Sequence, residues 1–194
     1  MWKESMITKF VRERLSEKRF AHTIGVRNTA VKLAEIYGED RERAMLAGLI
    51  HDCAKNMGDE EILSLVKESG YEPDWIEENS PQLLHGRAAA VIALREMGLE
   101  DEAVLNAVIY HTTGRTDMTT LEKIVYVADY IEPSRNFPGV DELRKAAFTN
   151  IDGAMLMALE NTIRYVLEKH ELLHTDTIDA RNHMLIVMGG KSSG

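Results

Sequence analysis

Residues 19–38 read RFAHTIGVRNTAVKLAEIYG. In this stretch the apolar or small residues Gly25, Val26, Thr29, Ala30, Leu33, Ile36 and Tyr37 recur at spacings of three and four, the period of one helix face. Gly38 supplies the stop. Beyond it, Asp40 is placed to cap a helix whose face Ala44, Ala47, Gly48 and His51 carries small side chains, so a neighbouring helix can approach closely. The same reading predicts helices over 59–69, 86–97, 101–111, 119–131, 141–148, 151–169 and, last, 177–187. No segment alternates apolar and polar residues as a half-buried strand does, and 4 Pro and 13 Gly are few for a chain built of β-turns. The expectation is one all-α domain over residues 1–188, followed by a flexible tail, 189–194. Two stretches break the helical pattern: 56–81, with Pro73 and Pro81, reads as a helix with an irregular acidic flap, and Pro133 to Gly139 as a proline-bracketed loop straight after a helix.

Composition narrows the possible roles. A chain of 194 residues, 44% hydrophobic and 28% charged, can bury a sizeable core. Its 1 cysteine, Cys53, excludes an internal disulfide, a zinc ribbon and a CxxC redox pair, and is at home in a reducing cytoplasm. Lys3, Glu4 and Lys9 interrupt the N-terminus, unlike a signal peptide, and the longest apolar run, Ala88 to Leu94, is far short of the roughly 20 residues that span a bilayer. A net charge of −9 repels a polyanion, which argues against nonspecific nucleic-acid binding but not against a small anionic substrate in a locally positive cleft. The stripe Met155, Leu159, Ile163, Val166 and Leu167 suits either the core or a homodimer interface.

His22, His51, His85 and His111 lie in or at the ends of strongly apolar helical segments. One such histidine is more often a hydrogen-bonded core residue than a ligand; four together shift the balance. Asp52 follows His51, and Asp129 falls on the apolar face marked by Leu121, Val125 and Ala128. A carboxylate buried there needs a cation, donors or a metal, because an unpaired buried charge costs several kcal/mol. Together His22, His51, Asp52, His85, His111 and Asp129 offer nitrogen and oxygen ligands for two divalent metals, with Asp52 able to bridge. Imidazole and carboxylate without thiolate fit iron, manganese or zinc better than calcium or magnesium. His170, His174 and His183 read as surface or structural groups.

The ordered series His22, His51-Asp52, Asp129 resembles the HD-domain superfamily of metal-dependent phosphohydrolases, and the added His85 and His111 resemble its two-metal members. More narrowly, RFAHTIGV at 19–26, LIHDCAK at 49–55, LLHGRAAA at 83–90, YHTTGR at 110–115 and VADYIEPSRNFPGVDELR at 127–144 resemble the YqeK family over nearly the whole chain. The resemblance implies an HD-type helical bundle with its metal site between helices, a metal-binding core at 19–135, a di-iron centre, and symmetrical hydrolysis of diadenosine tetraphosphate to two ADP.

A polyphosphate needs local positive charge, and basic residues follow four of the six ligands: Lys55 after Asp52, Arg87 after His85, Arg115 after His111 and Arg135 after Asp129. Thr112, Thr113 and Gly114 follow His111 where a helix should end and could donate to phosphate. Asp52, Arg87 and Arg135 are the expected catalytic residues; Lys55, Arg87, Thr112, Thr113, Gly114, Arg115 and Arg135 are the expected substrate contacts. Other readings keep the metal site but change the nucleotide, to a mononucleotide, a triphosphate or a cyclic nucleotide, or make the chain an oxygen-activating enzyme or a non-catalytic nucleotide-binding module.

Overall fold

The computed structural model describes residues 2–191, and no strand occurs among them. α1 (Glu4–Arg14) precedes the long α2 (Glu17–Tyr37), which carries the stretch quoted above; α3 (Arg41–Ile50), α4 (Asp59–Glu68) and the short α5 (Trp75–Asn79) follow. A 3-10 turn at Pro81–Leu84 leads into α6 (His85–Met97), then α7 (Glu102–Ile109), α8 (Thr120–Ile131), α9 (Val140–Ala147), α10 (Ile151–Glu168) and α11 (Thr175–Lys191).

The helix starts are locally encoded. Ser16, Asp40, Asp101, Thr119 and Asn150 accept N–H groups in the first turns of α2, α3, α7, α8 and α10, satisfying donors that helix geometry leaves over. Gly38, at φ 71, ends α2 by returning its N–H to the Ala34 carbonyl.

α2, α3, α7 and α8 pack on one another, α6 lies against α7, and α10 joins α8, α9 and α11. Their common core includes Val26, Leu33, Ile50, Val108, Ile124 and Met155. The small-residue face of α3 permits backbone contact: a Cβ on Gly48 would sit 2.8 Å from Arg27 Cα of α2. At the start of α6 a Cβ on Gly86 would sit 2.5 Å from the Val108 carbonyl oxygen. These two approaches draw the histidine-bearing ends of α3 and α6 towards α2 and α7.

α1 and α5 depart from the sequence reading. α1 buries only Ile7 and Val11, too few contacts for a periodic signal, and α5, inside the expected flap, is five residues long, started by an Asp74–Glu77 capping box. α11 runs from Thr175 to Lys191, so the first residues of the expected tail are helical; adding a residue to an existing helix is far easier than nucleating one. Residues 192–194 of that tail lie outside the described residues. In α10, Met155 and Leu159 are core, whereas Leu167 is exposed. No helix among the described residues is long and apolar enough to cross a membrane.

Candidate metal centre

Six side chains converge where α2, α3, α6, α7 and α8 meet. His22 comes from α2, His51 and Asp52 from the end of α3, His85 from the start of α6, His111 from just past α7, and Asp129 from the last turn of α8. His51 Nδ1 donates to Gly48 O at 2.8 Å, His85 Nδ1 to Gln82 O at 2.6 Å, and His111 Nδ1 to Val108 O at 2.7 Å. A carbonyl only accepts, so the lone pair of each neutral ring falls on Nε2, which points inward. In all three the partner is the carbonyl three residues earlier, so local backbone geometry sets the tautomer. His22 differs: its Nδ1 pairs with the buried carboxylate of Glu132 at 3.0 Å.

Asp52 lies in the middle. Its Oδ2 is 3.8 Å from His22 Nε2 and 3.6 Å from His51 Nε2, while its Oδ1 is 3.1 Å from His85 Nε2 and 3.9 Å from His111 Nε2. Asp129 Oδ1 is 3.0 Å from His22 Nε2, yet that nitrogen, like His51 Nε2, is buried without the alignment of a hydrogen bond. His85 Nε2 and His111 Nε2 stand 3.0 Å apart. Two lone pairs facing at that distance repel unless a cation lies between them, and about 3 Å is the edge of an octahedral shell with bonds of about 2.1 Å. The orphaned nitrogens and the nitrogen–oxygen donor set therefore fit a divalent transition metal.

Electrostatics prepares the same donors. Burial pushes the His111 imidazole down to about 3, with His85 and His51 acting in the same direction, and burial also lowers His51. Burial alone would raise Asp52, but His51, His85 and His111 outweigh it and hold its carboxyl well below the usual carboxylate range. Asp129 is part-buried, and the bonded His22 and the nearby Arg135 bring it far below that range. His22 is lowered by burial and raised more by Asp129 and Glu132. Near neutral pH the carboxylates are charged and His51 and His111 are neutral, the protonation states that metal ligation requires.

The cluster floors a cleft of about 510 Å³. Arg19, Lys55 and Arg135 bring positive charge to it, and Thr112 brings a hydroxyl. Arg19 Nη1 donates to Asp52 Oδ2 at 2.9 Å, and Arg135 Nε to the Asp129 carbonyl at 2.7 Å. Arg144 braces the loop that carries Arg135 by donating to the carbonyls of Ile131, Glu132 and Arg135. Tyr130, Phe137, Asn161 and Tyr165 form part of the wall. Cys53 is buried, its thiol pushed up to about 12 by burial, which makes it core rather than nucleophile.

Four expected substrate contacts lie elsewhere. Arg87 covers the Tyr71 ring, 3.6 Å from its centroid, because a residue two past His85 is turned about 200° around the helix. Arg115 grips Glu122 through two bonds of 2.7 and 3.1 Å. Gly114, at φ 69, turns the chain away from His111, and a Cβ there would press on Ala180 and Leu159. Thr113 is buried, its hydroxyl donating to the Gly114 carbonyl. Two residues of the site went unread in the sequence, although helical spacing marks both: Arg19 lies three before His22, and Glu132 three after Asp129.

A helical bundle closed around a histidine–aspartate cluster of this order defines an HD-type metal-binding domain, and the HD domain profile matches residues 19–134. A symmetrical bis(5'-nucleosyl)-tetraphosphatase of Halalkalibacterium halodurans is 43% identical, the match covering 92% of this chain and 95% of that one. Its counterpart in Bacillus subtilis is 41% identical over 90% of this chain and 94% of its own. A crystal structure from Clostridium acetobutylicum, described as a predicted HD superfamily hydrolase involved in NAD metabolism, has a TM-score of 0.93 and 49% identity, covering 95% of this chain and 98% of that one. The chain belongs to the HD-domain family and, within it, to the group of these symmetrical tetraphosphatases.

Proposed function

We propose that the cleft hydrolyses dinucleoside tetraphosphates, cutting diadenosine tetraphosphate symmetrically into two ADP, and that it does so with two divalent ions, iron by preference with manganese or zinc as substitutes. The division of Asp52 carries the two-ion reading: one oxygen faces His22 and His51, the other His85 and His111. His22, His51, Asp52 and Asp129 would hold one ion, and Asp52, His85 and His111 the other. Bound there, the pair supplies Lewis-acid polarisation of a phosphoryl oxygen and a water acidic enough to ionise near neutral pH.

The chain's own groups do the rest. Arg135, beside Asp129, neutralises charge on the non-bridging oxygens as the phosphoanhydride bond breaks. Arg19 and Lys55 bind the flanking phosphates, and the Thr112 hydroxyl donates to one of them. Glu132 fixes the His22 ring from behind. Tyr130, Phe137 and Tyr165 give a nucleoside an apolar wall and exclude water there. A reducing cytoplasm suits both divalent iron and the free thiol of Cys53.

The decisive experiment incubates anaerobically prepared, iron-loaded protein with diadenosine tetraphosphate and resolves the products by chromatography, beside an Asp52→Ala control. ADP as sole product, absent from the control, is expected. AMP with ATP would overturn the cleavage position, and turnover of mononucleotides alone would overturn the substrate.

A further inference from the structure

A second group of potential ligands lies apart from the cleft. His174, just before α11, meets Asp74 and Glu77 at the start of α5. His174 is only 6% exposed, and its Nε2 makes no hydrogen bond among the described residues. Nε2 stands 3.5 Å from Asp74 Oδ2 and 3.7 Å from Glu77 Oε1. Those separations are too long for good hydrogen bonds, and an imidazolium would draw carboxylates to within about 2.9 Å. They are close to the edge, about 3.4 Å, of a tetrahedral shell with bonds of about 2.1 Å. Glu77 is held firmly: the Tyr71 hydroxyl lies 3.1 and 3.0 Å from its two oxygens, and the Asp74 N–H donates to Oε2 at 2.9 Å.

We propose that Asp74, Glu77 and His174 bind a divalent transition-metal ion, Zn²⁺ in the first place, at a site separate from the catalytic centre. Nitrogen and carboxylate donors in a small shell, completed by water, suit zinc. The proton balance closes on Asp176. His174 Nδ1 accepts the Asp176 N–H at 3.2 Å, so a ring with one proton carries it on Nε2, where it makes no hydrogen bond. Coordination through Nε2 moves that proton to Nδ1, which gives up the Asp176 N–H as it does so and turns to donate to Asp176 Oδ2, 3.7 Å away, as a carboxylate-backed ligand.

The site has a structural consequence. α5 leads straight into the turn Pro81–Leu84, whose Gln82 carbonyl holds His85 Nδ1 at 2.6 Å. Arg87 of α6 covers Tyr71, which in turn bonds Glu77. An ion here clamps the start of α11 to the segment that orients His85.

The test compares zinc bound per chain, after desalting, in the metal-loaded protein and in two variants. Asp74→Asn keeps an N-cap acceptor for α5 while removing the charge, and His174→Gln removes the nitrogen. Wild type is expected to hold one zinc more than either variant, and added Zn²⁺ to raise its Tm by more than theirs, since the catalytic centre contributes equally to all three. Equal zinc content in all three, with equal Tm responses, would overturn the proposal. Because the catalytic ligands are unchanged throughout, the count at that centre cancels in the comparison.

Discussion

In the proposed two-ion centre Asp52 would serve both halves, since its two oxygens face different pairs of histidines. Asp52→Ala should therefore lose both ions together while helix content by circular dichroism stays nearly intact; two metals per chain in the variant would refute the bridge. Arg135→Ala should retain the metals and lower kcat by about 10²-fold, the usual loss when a donor to developing charge is removed; unchanged kcat would exclude Arg135 from the transition state. The pH response of the metal-stripped protein follows from His111. Its folded value, about 3, lies below the ordinary histidine value of 6.5, so between those limits the unfolded chain binds more protons. The stability that this group contributes is then fully present above pH 6.5 and is lost progressively as pH falls towards 3. Denaturant titrations at pH 7, 5 and 4 should show the midpoint dropping steadily. The histidines and aspartates were legible because polar groups stood on apolar helical faces, a pattern that states both burial and need. Arg87 lies over Tyr71 rather than in the cleft, because distance along the chain from a ligand says nothing of direction around a helix.

At the scale of elements, the centre depends on how closely α2 and α3 approach. A Cβ at Gly48 would meet Arg27 Cα at 2.8 Å and Arg27 N at 3.1 Å, both backbone atoms that cannot swing aside. Gly48→Ala should force the helices apart, at about 1–3 kcal/mol for an overpacked contact. The cost is a Tm lower by about 2–4 °C per kcal/mol. Because His22 rides on α2 and His51 follows α3, metal affinity measured by competition with a chelator should fall as well. A variant as stable as wild type with unchanged affinity would show that the two helices are not held by this contact. The small-residue face that permits the approach was readable as Ala44, Ala47, Gly48 and His51. The role of α10 was not: its stripe of apolar residues spoke for core or interface, while Asn161, Thr162 and Tyr165 on another side of the same helix line the cleft. A polar helix face looks alike in sequence whether it meets solvent or a substrate.

Over the whole molecule, two electrostatic effects oppose each other. The chain carries −9, which repels a tetraphosphate, whereas Arg19, Lys55 and Arg135 in the cleft attract it. Range decides between them. At about 0.1 M salt the Debye length is about 10 Å, so charges spread over the remote surface are already screened, while groups in direct contact with phosphate are screened much less. Below that concentration, at about 0.01 M, the screening length is about 30 Å and the distant repulsion is felt. Adding salt from that low limit should lower KM or leave it level, and adding it beyond 0.15 M, a concentration of about one 8 Å Debye length, should raise KM as the cleft contacts weaken. Since ions bound by the catalytic ligands are held at short range, kcat should move little. Steady-state kinetics over a salt series would check this, with Lys55→Ala as comparison: losing one phosphate contact, it should start at a higher KM and respond less steeply to salt. A KM that is flat across the series in both proteins would mean that substrate is held by the metals and the aromatic wall alone.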